Sequence, residues 1–178
     1  MRACFQFKRL CMLGHGEAVW RAYRALLAAA VSGQLPAGWR QPKWWSPQVG
    51  VALAQRQPAL ELMWRYLRYH DCGKHLVHQV DELGRSHFAG HASASAQLWH
   101  ALGGGEEEVW LMAHDMLLHT GSAPECQALS GHPLAPALLF ASLAELHANA
   151  PLFGGTQTDN FKAKAKRMER RAADLLGR

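Results

Sequence analysis

The feature that most constrains the fold of this chain is the spacing of its apolar residues, which recur three and four positions apart between glycine and proline breaks. In the first such segment, predicted to be helical over residues 14–31, these positions are Val19, Ala22, Tyr23, Leu26 and Leu27. Further helices are predicted over residues 58–69, 91–102, 106–119, 135–148 and 160–176, the last capped by Asp159. Residues 33–48 and 73–88 are predicted loops, and the second has room for a short hairpin. Because no segment alternates convincingly between apolar and polar residues, the predicted class is all-α.

Length and composition indicate one globular domain. The chain has 178 residues, of which 49% are hydrophobic and 19% charged, so it can bury a core and is not of disordered composition. A single domain is therefore predicted over residues 1–178. No run of about 18 apolar residues occurs, and residues 1–13 do not resemble a signal peptide, so no membrane association is predicted. Reduced thiols in a cytoplasmic protein are predicted, because no CxxC pair or disulfide framework is formed by Cys4, Cys11, Cys72 and Cys126.

The chain is basic, with a formal net charge of +5 and much of the excess in residues 162–178. This balance favours an anionic partner or substrate. The alternative is an amphipathic helix over about 159–176 that packs on the domain through Phe161, Ala165, Met168, Ala172 and Leu175. A similar choice applies to Trp44 and Trp45, which could stack on a base or close the helical core, and the core is the preferred interpretation.

Histidine is the over-represented residue, with eleven in the chain, most of them between His70 and His119. His70 and Asp71 are adjacent, and neighbours on a helix point about 100° apart, so both reach one ion only near a helix end. Gly73 would end the helix at that point. Imidazole nitrogen and carboxylate oxygen together suit zinc, iron, manganese and similar ions. A second pair, His114-Asp115, lacks the glycine and lysine that follow the first, and Asp115 is interpreted as a surface residue or a hydrogen-bond partner of a histidine.

A longer string is more specific. Tyr69-His70-Asp71-Cys72-Gly73-Lys74 resembles the HDxGK signature of the HD superfamily of metal-dependent phosphohydrolases. Three flanking segments resemble the other histidine segments of that family: Gly14-His15-Gly16-Glu17, the helix that follows His87-Phe88-Ala89-Gly90-His91, and Met112-Ala113-His114-Asp115-Met116-Leu117-Leu118-His119. The order of these motifs matches the family across about residues 13–150. The resemblance implies a helical bundle of the HD-domain type.

The resemblance also implies a set of site residues. One divalent ion would be bound by His15, His70 and Asp71, and Asp71 would bridge to a second ion bound by His91 and His114. Lys74 would offset charge on a phosphate oxygen in the transition state. In a one-ion site, His91 and His114 would instead bind phosphate or donate a proton. The ion is expected to be Mn, Ni, Co, Fe, Zn or Mg.

The final metal ligand departs from the family pattern. Family members usually supply an aspartate from the last core helix, whereas residues 139–149 of this chain contain none. Glu145 is the predicted replacement ligand, because a longer carboxylate can still reach an ion. Ser142 is the alternative occupant of that position, and it would leave water there.

The resulting hypothesis is a metal-dependent phosphohydrolase, a phosphatase or phosphodiesterase, acting on a phosphorylated nucleotide or a nucleic-acid end. Asp71, Lys74 and His114 are its predicted catalytic residues. The alternatives are an HD-type di-iron oxygenase and a non-catalytic binding module that kept the fold. The sequence does not indicate an oligomeric state.

Overall fold

The computed structural model describes residues 5–7 and 10–177, and this part of the chain is mostly helical, as predicted. Its α-helices are α1 (Met12–Ala30), α2 (Pro47–Gln55), α3 (Leu60–Tyr69), α4 (His91–Ala101), α5 (Glu106–Ala113), α6 (Leu117–Thr120), α7 (Ala123–Ala128), α8 (Ala135–Ala148) and α9 (Asp159–Leu175). Short 3₁₀ turns lie at Cys72–Leu76 and Ala150–Phe153. Antiparallel hairpins pair β1 (Phe5–Phe7) with β2 (Leu10–Cys11) and β3 (Gln79–Val80) with β4 (Ser86–His87).

The predicted helices are recovered where the apolar pattern is long, in α1, α3, α4, α8 and α9. The prediction of one helix over 106–119 is wrong, because the chain forms a turn at residues 114–116 between α5 and α6. The cap of α9 is Thr158 rather than Asp159, and the Thr158 hydroxyl accepts the Phe161 N–H at 3.3 Å. The hairpin anticipated within residues 73–88 is present as β3 and β4.

The chain divides into two compact units. The first contains the described residues up to 18 and residues 59–115, and the second contains residues 19–58 and 116–177. Helix α1 contributes its first turns to the first unit and the remainder to the second. The single-domain organisation stays a prediction.

In the first unit, α4 packs against α5 and against the 3₁₀ turn at Cys72–Leu76, and α3 packs against α5. The core side chains of this unit are large and fully buried, among them Met63, Tyr66, Leu67, Leu111 and Met112. The turn approaches α4 closely enough for the Gly73 N–H to donate to Ser95 Oγ at 2.9 Å. This packing fixes the chain immediately after His70 and Asp71.

The N-terminus of α5 is closed by Glu108, one of three acidic residues in the first turn, where the helix dipole favours negative charge. Its carboxylate accepts the Gly105 N–H at 2.7 Å and Arg65 Nε at 2.5 Å. Burial raises the pKa of the Glu108 carboxyl, but the hydrogen bonds from Arg65 and Gly105 outweigh burial, so the net pKa is lowered. Glu108 therefore stays ionised and anchors α5 to α3.

In the second unit, α8 is buried along nearly its whole length, and α2, α6 and α9 each pack against it. Trp44 and Trp45 are both 6% exposed, so the interpretation of these residues as core is confirmed. The predicted apolar face of α9 is also confirmed, since its buried residues are Phe161, Ala165, Met168, Ala172 and Leu175. Gly154 and Gly155 follow the 3₁₀ turn at Ala150–Phe153, and both have positive φ.

A buried histidine on α8 packs between aromatic rings of the second unit. The His147 ring stacks on Trp39, with centroids 4.1 Å apart, and meets the edge of Phe161. Burial lowers the pKa of His147 from its ordinary value of 6.5 to about 4, opposed in part by a hydrogen bond to the Arg40 backbone. His147 is therefore neutral in the folded protein near neutral pH.

We expect His147 to destabilise the folded protein at acidic pH. Between pH 6.5 and 4 the unfolded chain binds a proton that folded His147 does not, so stability falls as pH falls through that window. This single group lowers the free energy of unfolding by up to about 3 kcal/mol at the acid end. Urea unfolding of the native protein and of His147→Leu at pH 7, 5.5 and 4.5 measures the difference. Identical pH slopes for the two proteins would contradict the assignment.

The described cysteines Cys11, Cys72 and Cys126 are free thiols, as predicted, while Cys4 lies outside the described residues. Burial raises the pKa of the Cys72 and Cys126 thiols, which keeps them protonated and unreactive. Within residues 5–7 and 10–177, no helix has both the length and the apolar character required to cross a bilayer.

Candidate metal centre

The end of α3 places His70 and Asp71 side by side in the interior of the first unit. The helix ends at Tyr69, His70 is its C-terminal cap, and the chain then enters the 3₁₀ turn that begins at Cys72. This is the helix-end position predicted from the sequence. Both side chains are buried, His70 at 2% and Asp71 at 3% exposure.

The orientation of the His70 ring is set by the backbone of its own helix. Its Nδ1 lies 2.8 Å from the Leu67 carbonyl oxygen, which can only accept, so Nδ1 carries the proton. In the neutral ring the lone pair is then on Nε2, the atom that faces Asp71. This arrangement, a backbone carbonyl holding the distal N–H of a histidine, is the usual support of a metal-ligating imidazole.

The Asp71 carboxylate is the centre of the site, because three imidazole nitrogens converge on it. His15 Nε2 lies 3.7 Å and His70 Nε2 lies 3.5 Å from Asp71 Oδ2, while His91 Nε2 lies 3.5 Å from Oδ1. His15 extends from the first turn of α1, and His91 is the first residue of α4. The structure thus brings three histidines from separate segments, each predicted from the sequence, to the Asp71 carboxylate.

These separations fit ligands of a common ion. At metal–ligand bonds of about 2.1 Å and ordinary coordination angles, two ligand atoms lie about 3.0–3.6 Å apart. The three distances from an imidazole nitrogen to an Asp71 oxygen, 3.5–3.7 Å, lie within this range or just above it. His15, His70 and Asp71 also form a buried group whose ligand atoms all lie within 4.8 Å of one another. The first unit therefore contains a buried histidine–aspartate cluster that can bind a metal ion.

Lys74 supplies positive charge at the same carboxylate. Its Nζ lies 2.6 Å from Asp71 Oδ2, and the side chain is buried at 6% exposure. The ammonium also lies 5.6 Å from the centroid of the Phe88 ring, a favourable cation–π distance. Asp71 is therefore held as an anion between an ammonium and the imidazoles.

A second aspartate lies in this cluster, although the sequence interpretation did not count it among the metal ligands. Asp115 is only 5% exposed, and its Oδ1 accepts the Tyr66 hydroxyl at 2.7 Å. It forms a second group of possible metal ligands with Asp71 and His91, again with all ligand atoms within 4.8 Å. Of the two interpretations of Asp115, the surface residue is therefore wrong, and the hydrogen-bond partner of a histidine stays a prediction. The sequence feature that points to Asp115 is the second His-Asp pair. The feature that points to Tyr66 is its position one helical turn before His70.

His114 lies beside this cluster in sequence but is oriented by α5. Its Nδ1 lies 2.7 Å from the Trp110 carbonyl oxygen, and its ring stacks on the Trp110 ring with centroids 4.2 Å apart. Among the described residues, His114 is in none of the groups whose ligand atoms lie within 4.8 Å of one another. Its predicted role as a ligand or catalytic residue stays a prediction.

Glu145, the predicted replacement for the family aspartate, belongs to the second unit. It lies on α8, and its Oε2 is 3.1 Å from His119 Nε2. Ser142, the alternative at this position, is buried one turn earlier on the same helix. The ligand role of Glu145 stays a prediction.

Taken together, the first unit positions His15, His70, Asp71 and His91 around one carboxylate, adds Lys74 at hydrogen-bond distance, and brings Asp115 beside them. Such a site can bind divalent cations and can offset the charge of an anionic ligand. Comparisons with protein-family models, curated proteins and solved structures find no match to this chain, so its resemblance to the HD superfamily stays a prediction from the motifs.

Proposed function

We propose that the protein is a metal-dependent phosphohydrolase acting on a phosphomonoester or phosphodiester of a nucleotide or nucleic-acid end. The observation that carries the proposal is the convergence of three imidazole nitrogens, at 3.5–3.7 Å, and one ammonium, at 2.6 Å, on the Asp71 carboxylate. The order of these residues along the chain, similar to that of the HD superfamily, supports the same activity. The net charge of +5 favours an anionic substrate.

The residues divide into those that would hold an ion and those that would act on the substrate. His15, His70 and Asp71 would hold the ion. When bound, a divalent ion lowers the pKa of water and polarises a phosphoryl oxygen. Lys74 would stabilise negative charge that develops on the phosphate in the transition state. In a one-ion site, His91 and His114 are the candidates to bind phosphate or to protonate the leaving oxygen.

The proposed activity is tested directly on the purified protein. It is stripped of metal, reloaded with Mn²⁺, Ni²⁺, Co²⁺, Fe²⁺, Zn²⁺ or Mg²⁺, and incubated with nucleoside monophosphates, cyclic nucleotides and 5′- or 3′-phosphorylated oligonucleotides. We expect hydrolysis, measured as phosphate release or as opening of the cyclic ester, that depends on the ion. A metal-loaded protein that hydrolyses none of these substrates would contradict the proposal and would favour a binding module.

Lys74→Met is expected to separate metal binding from turnover. Without the ammonium at Asp71 Oδ2, an ion no longer competes with a protein cation, so metal affinity rises or is unchanged. Turnover falls by about 10²- to 10³-fold, because a charge directed at the developing oxyanion is lost. The measurements are metal content by mass spectrometry and kcat under saturating metal, with Lys166→Met, an exposed lysine of α9, as the control. Full turnover in Lys74→Met would remove Lys74 from the mechanism.

A further inference from the structure

The two oxygens of Asp71 face different sets of ligands. Oδ2 faces His15, His70 and Lys74, whereas Oδ1 faces His91. On the Oδ1 side, Asp71 and His91 form a group with Asp115. We propose that Asp71, His91 and Asp115 form a second cation site, bridged to the first through Asp71, in which Asp115 rather than His114 is the third ligand. This inference rests on the proposed function for its biological meaning, but binding can be measured without turnover.

The position of Asp115 follows from where α5 ends. The helix stops at Ala113, and the turn over residues 114–116 directs the Asp115 side chain into the interior of the first unit. Tyr66 holds the Asp115 carboxylate by a hydrogen bond to Oδ1 at 2.7 Å. Because a phenol is a neutral donor, this bond orients Asp115 without neutralising it. A carboxylate oriented in this way by a neighbouring group is typical of a metal ligand.

Electrostatics favours a cation at this position. Asp71 and Asp115 are both buried, and each offers an oxygen within 4.8 Å of the other and of His91. Lys74 offsets the charge of only one of these two neighbouring carboxylates, and a divalent ion between them would offset the other, which favours cation binding in a poorly solvated environment. The His91 ring is oriented for the same purpose, since its Nδ1 is 2.9 Å from the Phe88 carbonyl oxygen and its Nε2 faces Asp71.

The donor atoms predict different ion preferences for the two sites. The first group offers two imidazole nitrogens and one carboxylate oxygen, a set that suits Zn²⁺, Fe²⁺, Co²⁺ or Ni²⁺. The second offers two carboxylates and one imidazole, a harder set that suits Mn²⁺ or Mg²⁺. A histidine in place of Asp115, as the family resemblance implies for His114, would remove this difference. The structure therefore assigns Mn²⁺ or Mg²⁺ to the second site.

The test uses Mn²⁺ alone as the probe. Full-length protein is loaded with one equivalent of Zn²⁺ and titrated with Mn²⁺, and free Mn²⁺ is followed by electron paramagnetic resonance. We expect one Mn²⁺ per chain in the native protein and at least tenfold weaker Mn²⁺ binding in Asp115→Asn, with the Zn²⁺ content retained. Glu106→Gln, which changes an exposed carboxylate of α5, is the matched control and should bind Mn²⁺ as the native protein does.

Two further variants keep the inference falsifiable if Asp115→Asn does not fold. Tyr66→Phe removes only the hydroxyl that orients Asp115 and should weaken Mn²⁺ binding several-fold. His114→Ala should leave Mn²⁺ binding unchanged. Native Mn²⁺ affinity in both Asp115→Asn and Tyr66→Phe, or loss of Mn²⁺ binding in His114→Ala, would overturn the assignment. Mn²⁺ binding without phosphate release would contradict the proposed function and leave the second site intact.

Discussion

Asp71→Asn is expected to abolish metal-dependent phosphate release and to lower the bound metal in the same variant. The amide keeps the shape of the side chain but removes the charge on which His15, His70, His91 and Lys74 converge. Loss of a charged ligand weakens ion binding by at least about 100-fold, more than the loss of an outer hydrogen-bond partner does. Metal content by mass spectrometry and phosphate release are measured on the same preparation.

The experiment on Asp71→Asn must distinguish a loss of bound metal from a loss of folded protein. In Asp71→Asn the Lys74 ammonium is left in a buried position, and an uncompensated buried charge costs about 3–5 kcal/mol. The double variant Asp71→Asn/Lys74→Met removes that charge, so it should regain thermal stability while its bound metal stays as low as in Asp71→Asn. Asp159→Asn, an exposed aspartate of α9, is the control for the change of charge. Native metal content and native turnover in the folded double variant would refute the site.

The helices that could be predicted are those whose apolar residues repeat over several turns. The periodic apolar pattern predicts the positions of α1, α8 and α9, because each of these helices buries a long apolar stripe or nearly its whole surface. The short helices α2 and α7 are too brief to show a period. Their sequence signals were the caps, since Ser46 precedes Pro47 and Ser122 forms a capping box with Glu125.

The sequence predicts those site residues that are identified by the order of the histidine and aspartate motifs along the chain. His15, His70, Asp71 and His91 lie at or near helix ends, and a resemblance of motifs suffices to select them. The choice between His114 and Asp115 could not be made from sequence. Neighbouring residues point about 100° apart, so the inward-facing one depends on where α5 stops. The structure ends α5 at Ala113, whereas the apolar pattern predicts a continuous helix over 106–119.

Gly73→Ala is expected to destabilise the first unit strongly, although it adds only one methyl group. A methyl group at this position would clash with the backbone nitrogen of Ser95 and would lie 2.5 Å from the carbonyl carbon of Ala94. Both obstacles are main chain of α4, so no side-chain rotation relieves them. The 3₁₀ turn would have to move away from α4, breaking the hydrogen bond from the Gly73 N–H to Ser95 Oγ.

The cost of that movement is about 3 kcal/mol or more, at the upper end of overpacking effects. Because the turn follows Asp71 and contains Lys74, its displacement should also weaken metal binding, although no metal ligand is changed. Gly84→Ala is the matched control. Gly84 has a φ of +72°, but no neighbouring atom lies within 4 Å of the added carbon. This variant should therefore lose only the about 1–2 kcal/mol that an alanine costs in the left-handed conformation. Urea unfolding and metal titration of both variants measure the two effects. Equal stability of the two variants would show that the turn does not pack against α4 as described, and the geometry that holds Asp71 and Lys74 together would need another explanation.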